Sequence, residues 1–331
     1  MKVAAIGGGS WGTTVAHLCA HNAQTLLYSR RPEVVDAIRA EHRNPRYLPD
    51  HVLHEGLGAS GSLDEVMDGA DVVVMGVASA GFPTTLPAVA DLISPGTPVI
   101  SLAKGLDQTS HRRMTELIMD ELPDHPVGVL TGPNLAKEVL DGHAAASVVA
   151  FEDPAIASDL QDLFVTDRFR VYTNPDLVGC ELGGALKNVI AVAVGMADGL
   201  GTGDNTRAAV ITRGLAEITR LGVAMGGDAS TFMGLAGLGD LVATCISPQS
   251  RNRTVGEELG KGRTIEEIIA SMSQVAEGVK SAPVVVELGR KHGVELPIAE
   301  EVRAVVEEGR SAEDAYRGLL RRPQQGEVRR R

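Results

Sequence analysis

The short apolar run Val3-Ala-Ala-Ile6 leads directly into Gly7-x-Gly9-x-x-Gly12, and a helix-forming stretch, 13–22, follows. No other feature of the chain limits its fold as much. The order strand, glycine turn, helix makes a common glycine pattern into a dinucleotide-binding fingerprint. The first glycine makes the turn, the second lets backbone approach a pyrophosphate, and the third lets helix pack on strand. An anion held there rests on the helix N-terminus, where free N–H groups and the dipole favour it. A plain glycine-rich turn is the alternative, and the flanking strand and helix argue against it. About 20 residues further on, an NAD-preferring site carries an acidic group for the ribose hydroxyls. Here the strand 25–29 ends in Arg30 and Arg31 instead. Two guanidinium groups there suit a 2′-phosphate, so NADP(H) is expected to bind at least as well as NAD(H). A solvated arginine pair after a strand is the other reading.

The first half continues as short apolar runs, 71–77, 98–102, 127–130, 146–150 and 169–172, separated by helical stretches such as 109–122 and 154–164. Continuous apolar runs of this length fit strands covered on both faces, which predicts an α/β domain with a doubly wound, Rossmann-type parallel sheet. Ligands gather at the carboxyl ends of such strands, where the loops 76–79, 103–105 and 131–134 fall. From about residue 175 strand signals fade, and the stretches 176–198, 204–226, 229–237, 251–260, 264–272, 276–292 and 297–307 read as helices. The expected organisation is a dinucleotide-binding domain at 1–175, an all-helical C-terminal domain at 176–320, and a basic tail at 321–331 without periodicity.

The helix-length stretch 181–198 is apolar or small apart from its ends, Lys187 and Asn188. On the helix, Lys187 has Gly183, Gly184, Ile190 and Ala191 at the positions three and four residues away, so no carboxylate on its own face can pair with it. Taking an ammonium out of water disfavours its charged form and lowers its pKa toward the range useful for proton transfer. The competing reading is a lysine near a helix end that reaches water along its methylene stem.

The net charge of −12 argues against a general nucleic-acid or anionic-membrane surface, so an anionic substrate has to be captured by local Lys and Arg clusters. Cys19, Cys180 and Cys245 are odd in number and widely spaced, which indicates neither a disulfide framework nor a zinc site. The nine histidines are scattered, and no metal is expected. No run of 18 apolar residues is present, so the expected location is the cytoplasm, without a membrane span.

With these residues laid out, the chain resembles the bacterial NAD(P)-dependent sn-glycerol-3-phosphate dehydrogenase family. The resemblance lies in Gly-Gly-Gly-Ser10-Trp11-Gly12, Asn44-Pro-Arg-Tyr47-Leu-Pro, Lys104-Gly105, Gly132-Pro-x-x-Ala136-Lys-Glu-Val and Glu181-Leu-Gly-Gly-Ala-Leu-Lys187-Asn-Val. It continues through Asp204-Asn-Thr, Gly237-Leu-Gly-Asp240-Leu and Ser250-Arg251-Asn252-Arg253, and spans about residues 3–300 in order. It implies reversible reduction of dihydroxyacetone phosphate to sn-glycerol 3-phosphate with NADP or NAD as cofactor, supplying glycerophospholipid synthesis. It also implies that Ser10, Trp11, Arg30, Arg31, Tyr47, Lys104, Ala136, Arg251, Val275 and Glu277 line the cofactor alongside Gly7, Gly9 and Gly12. Lys187 would be the proton donor and acceptor, and Lys104, Gly132, Asn134, Lys187, Asp240, Ser250, Arg251 and Asn252 would hold a phosphorylated small-molecule substrate. A homodimer stays open. Two departures stand out: Ala78 where members often have Pro, and Asn134-Leu135 where they often have Ser or Thr and then Phe. Asn134 can still donate and accept hydrogen bonds, so a retuned contact is expected.

The chemistry can be argued beside the resemblance. Hydride addition to a ketone creates an alkoxide that needs a proton and a nearby positive charge, and Lys187 offers both. Asp240 either orients that ammonium, accepts from a substrate hydroxyl, or caps the helical stretch 240–245. Lys104 either reaches a ligand or stays a solvated loop lysine, and Ser250-Arg-Asn-Arg253 is either a phosphate clamp at a helix start or a charged turn. Two other functions share parts of this pattern. A related β-hydroxyacid-type dehydrogenase has no need of the Ser-Arg-Asn clamp, and a dinucleotide-sensing regulator leaves Lys187 and Asp240 without a task.

Overall fold

A computed structural model describes residues 1–272 and 276–321. Eight strands form one sheet: β1 (Lys2–Ile6), β2 (Gln24–Tyr28), β3 (Leu57–Ser60), β4 (Val72–Met75), β5 (Val99–Ser101), β6 (Val127–Thr131), β7 (Ala145–Phe151) and β8 (Phe169–Asn174). Their spatial order is β3-β2-β1-β4-β5-β6-β7-β8. The alternation along β4 shows why its run is apolar throughout. Val72 and Val74 join a core cluster with Val15, Leu18 and Leu160, whereas Val73 and Met75 join another with Phe82, Leu86 and Ile118. Side chains two residues apart share a face, so a strand with helices on both sides has no polar face.

The strand order reverses between β1 and β4, which places a ligand crevice at their carboxyl ends. All pairs are parallel except β6 with β7, which is antiparallel. That one departure from a fully parallel sheet follows from the connection 132–144. Its only helix, Ala136–Leu140, is five residues long and too short to carry the chain back across the sheet. Residues 132–136 therefore stay at the carboxyl edge of β6.

Several expected boundaries differ. Residues 109–113 do not open the helix, which runs Met114–Glu121. Asp107 accepts from the Ser110 backbone N–H and hydroxyl, both at 2.7 Å, and His111 takes a left-handed φ of 59°, so a tight turn comes first. The single expected helix 229–237 is a short helix, Ala229–Phe232, followed by a π-helical turn, Leu235–Gly239, and a helix, Asp240–Ile246. The β3 strand and the helix Ala312–Leu320 carry no strong signal and were not expected.

The chain packs as two compact units, one made of Met1–Ala185 with Ile218–Ala243 and the other of Leu186–Glu217 with Thr244 onward. The first holds the sheet. The second contains helices and, among the described residues, no strand. Within it, Gly195 and Gly199 face Gly256 and Gly260. A Cβ on Gly195 would lie 2.0 Å from the Arg253 carbonyl oxygen, and one on Gly256 would lie 2.0 Å from that of Val192. Only glycines permit this backbone approach, and it seats the helix Arg251–Gly260 against residues 192–199 of the helix Leu177–Gly199. The buried carboxylate of Glu217 accepts from the Ile298 and Ala299 N–H groups at 2.9 and 3.3 Å, satisfying the start of the helix Pro297–Glu308.

By length and composition alone, Leu177–Gly199 and Ala229–Ile246 are apolar enough to cross a membrane. In Leu177–Gly199 the apolar window is 94% buried inside the protein, so packing already uses that surface.

Candidate active site

Strand β1 ends just before Gly7, whose φ of +121° belongs to the region that favours glycine. A Cβ on Gly12 would stand 2.2 Å from the Gly7 carbonyl oxygen, so the helix Ser10–Ala20 approaches the turn as closely as the fingerprint requires. Gly9 sits at the N-cap of that helix, and the space its missing Cβ leaves is open for 4 Å. No side chain caps the helix, no acid lies in its first turn, and Trp11 Nε1 is buried without a hydrogen-bond partner. An uncapped helix start beside open space and an orphaned donor fit a dinucleotide.

The other expected cofactor residues fall as follows. Ser10 opens the helix. Arg30 and Arg31 are exposed just past β2, and Arg31 lies 3.7 Å from the exposed Glu33. Tyr47 is half-buried with the Arg46 guanidinium 5.6 Å from its ring. Ala136 starts its short helix and Glu277 starts the helix Glu277–Lys291. Val275 and the tail 322–331 lie outside the described residues.

In the first unit, Lys104 follows β5 and is not a solvated loop lysine. Its Nζ donates to the Gly132 carbonyl at 2.7 Å and to Asp240 Oδ2 at 2.8 Å. The lysine side chain is 18% exposed and the aspartate 2%. Asp240 is not an N-cap, because its φ and ψ of −70° and −35° are helical and the chain enters it from the π-helical turn. Close by, Asn134 Nδ2 donates to Ser147 Oγ at 3.2 Å, and Ser147 Oγ donates to the Thr131 carbonyl at 2.7 Å. Asn134 Oδ1 and Thr131 Oγ1 are buried with no partner. Such oxygens in a site at the sheet's carboxyl edge are free to meet a ligand's hydroxyl or phosphate.

In the second unit, Lys187 lies mid-helix and is 4% exposed, so it does not reach water from a helix end. Its Nζ donates to the Thr244 hydroxyl. Next to it, Asn188 Oδ1 accepts from Asn252 Nδ2 at 2.8 Å, and Asn252 Oδ1 accepts from the Gly278 N–H at 2.8 Å. Ser250 caps its helix, its Oγ accepting from the Arg253 N–H at 3.3 Å, and Arg251 is exposed in the first turn. Arg253 is held by Asp198, with Nε and Nη2 both at 2.9 Å. Of the expected clamp, then, Arg251 reaches solvent, while Ser250 and Asn252 also serve the packing.

The sequence does not single out Thr244 and Asn188 as site residues, whereas Thr131 lies in the loop 131–134 expected at the ligand edge. Thr244 had a usable signal, since it follows Asp240 by one helical turn and shares its face. The motif residue Glu181 is buried, and its partners are not legible in the sequence: it accepts from the Thr115 N–H and from Arg113 Nη1, each at 3.0 Å. Burial pushes its carboxyl up, and the Arg113 guanidinium beside it opposes that.

A fingerprint turn at the switch point of a parallel sheet, in a chain that also buries a lysine inside an apolar helix, defines a dinucleotide-dependent oxidoreductase. Two family models match the sequence: the NAD-dependent glycerol-3-phosphate dehydrogenase N-terminus over residues 2–157 and the corresponding C-terminus over 176–317. The chain belongs to this NAD-dependent glycerol-3-phosphate dehydrogenase family. A glycerol-3-phosphate dehydrogenase [NAD(P)+] 2 of Sphingopyxis alaskensis is 59% identical over 97% of this chain and 96% of its own. One named glycerol-3-phosphate dehydrogenase [NAD(P)+] from Thermobifida fusca is 51% identical over 97% of each. The crystal structure of glycerol-3-phosphate dehydrogenase from Coxiella burnetii superposes with a TM-score of 0.92 at 38% identity, covering 97% of this chain and 99% of that one.

Proposed function

We propose that this protein reversibly reduces dihydroxyacetone phosphate to sn-glycerol 3-phosphate with NAD(P)H, and that Lys187 is its general acid and base. The observation that carries the assignment of Lys187 is its burial at 4% exposure with a hydroxyl partner, Thr244. A dihydronicotinamide cofactor would supply the hydride for the ketone carbon. Lys187 Nζ gives its proton to the alkoxide oxygen and, in the reverse direction, takes it back from the alcohol. Thr244 Oγ1 holds that Nζ in one orientation. Lys104, Gly132, Asn134, Asp240, Ser250, Arg251 and Asn252, together with Lys187, would hold the substrate. Gly7, Gly9, Ser10, Trp11, Gly12, Arg30, Arg31, Tyr47, Lys104, Ala136, Arg251, Val275 and Glu277 hold the cofactor. The phosphate lies away from the reacting carbon, so its binding energy serves orientation and selectivity.

The proposed division of labour puts the cofactor half at 1–175 and the catalytic half at 176–320; family models matching 2–157 and 176–317 support it, although the stretch Ile218–Ala243 packs with the first compact unit. The product serves glycerophospholipid synthesis in the cytoplasm. Three buried free cysteines suit that reducing compartment. The direct test follows NADPH and NADH oxidation with dihydroxyacetone phosphate and with unphosphorylated dihydroxyacetone. Equal rates for the two ketones would sink the proposal.

Two substitutions refine it. The double replacement Arg30→Asp and Arg31→Asp is expected to raise the Kd for NADPH about tenfold, with a much smaller change for NADH, because only NADPH carries the 2′-phosphate. Equal losses, read by titration calorimetry, would remove both arginines from the ribose end. Arg251→Leu is expected to lower kcat/KM for dihydroxyacetone phosphate about fivefold, since an exposed guanidinium is screened by water. The rate with unphosphorylated dihydroxyacetone should not change, and Arg251→Lys should recover part of the loss, lacking the planar two-donor fork. A loss confined to NADPH affinity would place Arg251 on the cofactor side alone.

A further inference from the structure

Asn44 is fully buried, yet the fingerprint itself does not call for it. Its Nδ2 donates to the Gly8 carbonyl at 3.0 Å and to Thr13 Oγ1 at 2.9 Å, and its Oδ1 accepts from the Tyr47 N–H at 3.3 Å. The Gly8 carbonyl can only accept, so the amide has one allowed orientation, and both of its N–H bonds are committed. The three partners belong to three different pieces of the cofactor side: the glycine turn, the first helix after it, and the loop that carries Tyr47. Gly8 in turn abuts Ser29, where a Cβ would lie 2.9 Å from the hydroxyl oxygen, and that oxygen accepts from the Arg31 N–H at 3.3 Å. One carboxamide thus connects the pyrophosphate turn to Tyr47 directly and to the ribose end through Gly8 and Ser29.

We propose that Asn44 is a positioning residue that holds the dinucleotide turn and Tyr47 in their binding geometry, and so sets cofactor affinity without touching the reacting atoms. The turn has no side-chain cap and contains three consecutive glycines, Gly7 to Gly9, which lose more conformational freedom on ordering than any other residues. A buried amide that fixes the middle carbonyl removes that freedom before the cofactor arrives, which is how preorganisation raises affinity. The inference rests on the assignment of this turn to the cofactor.

The chain's single tryptophan, Trp11, lies inside the fingerprint, so its emission reports binding there. The test titrates NADPH and NADH into wild type, Asn44→Asp and Thr13→Val, and adds steady-state kinetics and thermal melts. Asn44→Asp keeps the volume but turns both donors into acceptors that face the Gly8 carbonyl. It is expected to raise Kd about tenfold for NADPH and NADH alike, because the pyrophosphate is common to both, on the scale of one lost buried hydrogen bond or more. Turnover at saturating cofactor and the KM for dihydroxyacetone phosphate should stay within about twofold, on the reading that Asn44 touches neither. Should Asn44→Asp fail to fold, Thr13→Val removes one acceptor with little change of shape and should raise both Kd values about threefold. Unchanged cofactor affinity in a folded variant overturns the inference, as does a fall in kcat with affinity intact or a lowered melting temperature alone. Absence of any binding to wild type would instead overturn the assignment of the turn.

Discussion

Lys187→Ala is expected to lower kcat by about 10²- to 10⁴-fold while the Kd for NADPH stays within about twofold, the pattern of a group that acts on the developing alkoxide. The position makes this a clean experiment. Lys187 is 4% exposed on a helix whose neighbouring residues are almost all buried, so no second ammonium on its own helix can replace it. Alanine leaves a cavity, which destabilises, but it also removes an ammonium from a site where holding charge is costly. Lys187→Met keeps the stem volume and separates the two effects. It should lose as much turnover as alanine with a smaller loss of stability, because no cavity is left. Single-turnover measurement of NADPH oxidation reads the chemical step directly. Wild-type turnover in either variant would remove Lys187 from the mechanism, and an equal loss of cofactor affinity would make its role structural.

How much of this could be read from the sequence depends on how local each cause is. The fingerprint was legible because its three glycines answer to constraints within a dozen residues, and the structure meets them at Gly7 and Gly12. The β4 run was legible because burial on both faces leaves no polar alternation. The reversal at β7 was not, since it turns on a five-residue helix that fails to span the sheet. Strand β3, Leu-Gly-Ala-Ser, has a single large apolar residue and owes its place to pairing with β2. In the site, Lys187 stood out because what its own helix lacks is visible in sequence. The partners of Lys104 were hidden: Gly132 is 28 residues away and Asp240 is 136 away, and nothing local at either end announces the contact. Ser250 illustrates the converse. A hydroxyl at a helix start reads equally well as an anion ligand or a cap, and its bond with the Arg253 N–H shows that it caps.

The Lys104–Asp240 pair carries the other large effect, and here stability and activity are expected to part company. Lys104→Met strips the ammonium from a carboxylate that is only 2% exposed. Breaking one side of a buried pair costs about 3 to 5 kcal/mol, because the desolvated charge remains after its compensation has gone. The variant should therefore unfold at a markedly lower denaturant concentration and, losing a substrate ligand, show a much higher KM for dihydroxyacetone phosphate. Asp240→Leu should fail in the same two ways for the mirror-image reason. The double variant Lys104→Met with Asp240→Leu buries no charge at that place. Replacing a buried ion pair with apolar groups of similar size is often neutral or stabilising, so the double variant should recover stability to within about 1 kcal/mol of wild type. Activity should not return, since neither side chain can then bind a phosphorylated ketone. Urea unfolding and steady-state kinetics on the four proteins complete the cycle. If the double variant regained turnover along with stability, the pair would be a structural brace and the substrate would have to be held by Asn134 and Arg251. If neither the single variants nor the double variant lost stability, the pair would contribute nothing to folding, and its burial would be accounted for by binding alone.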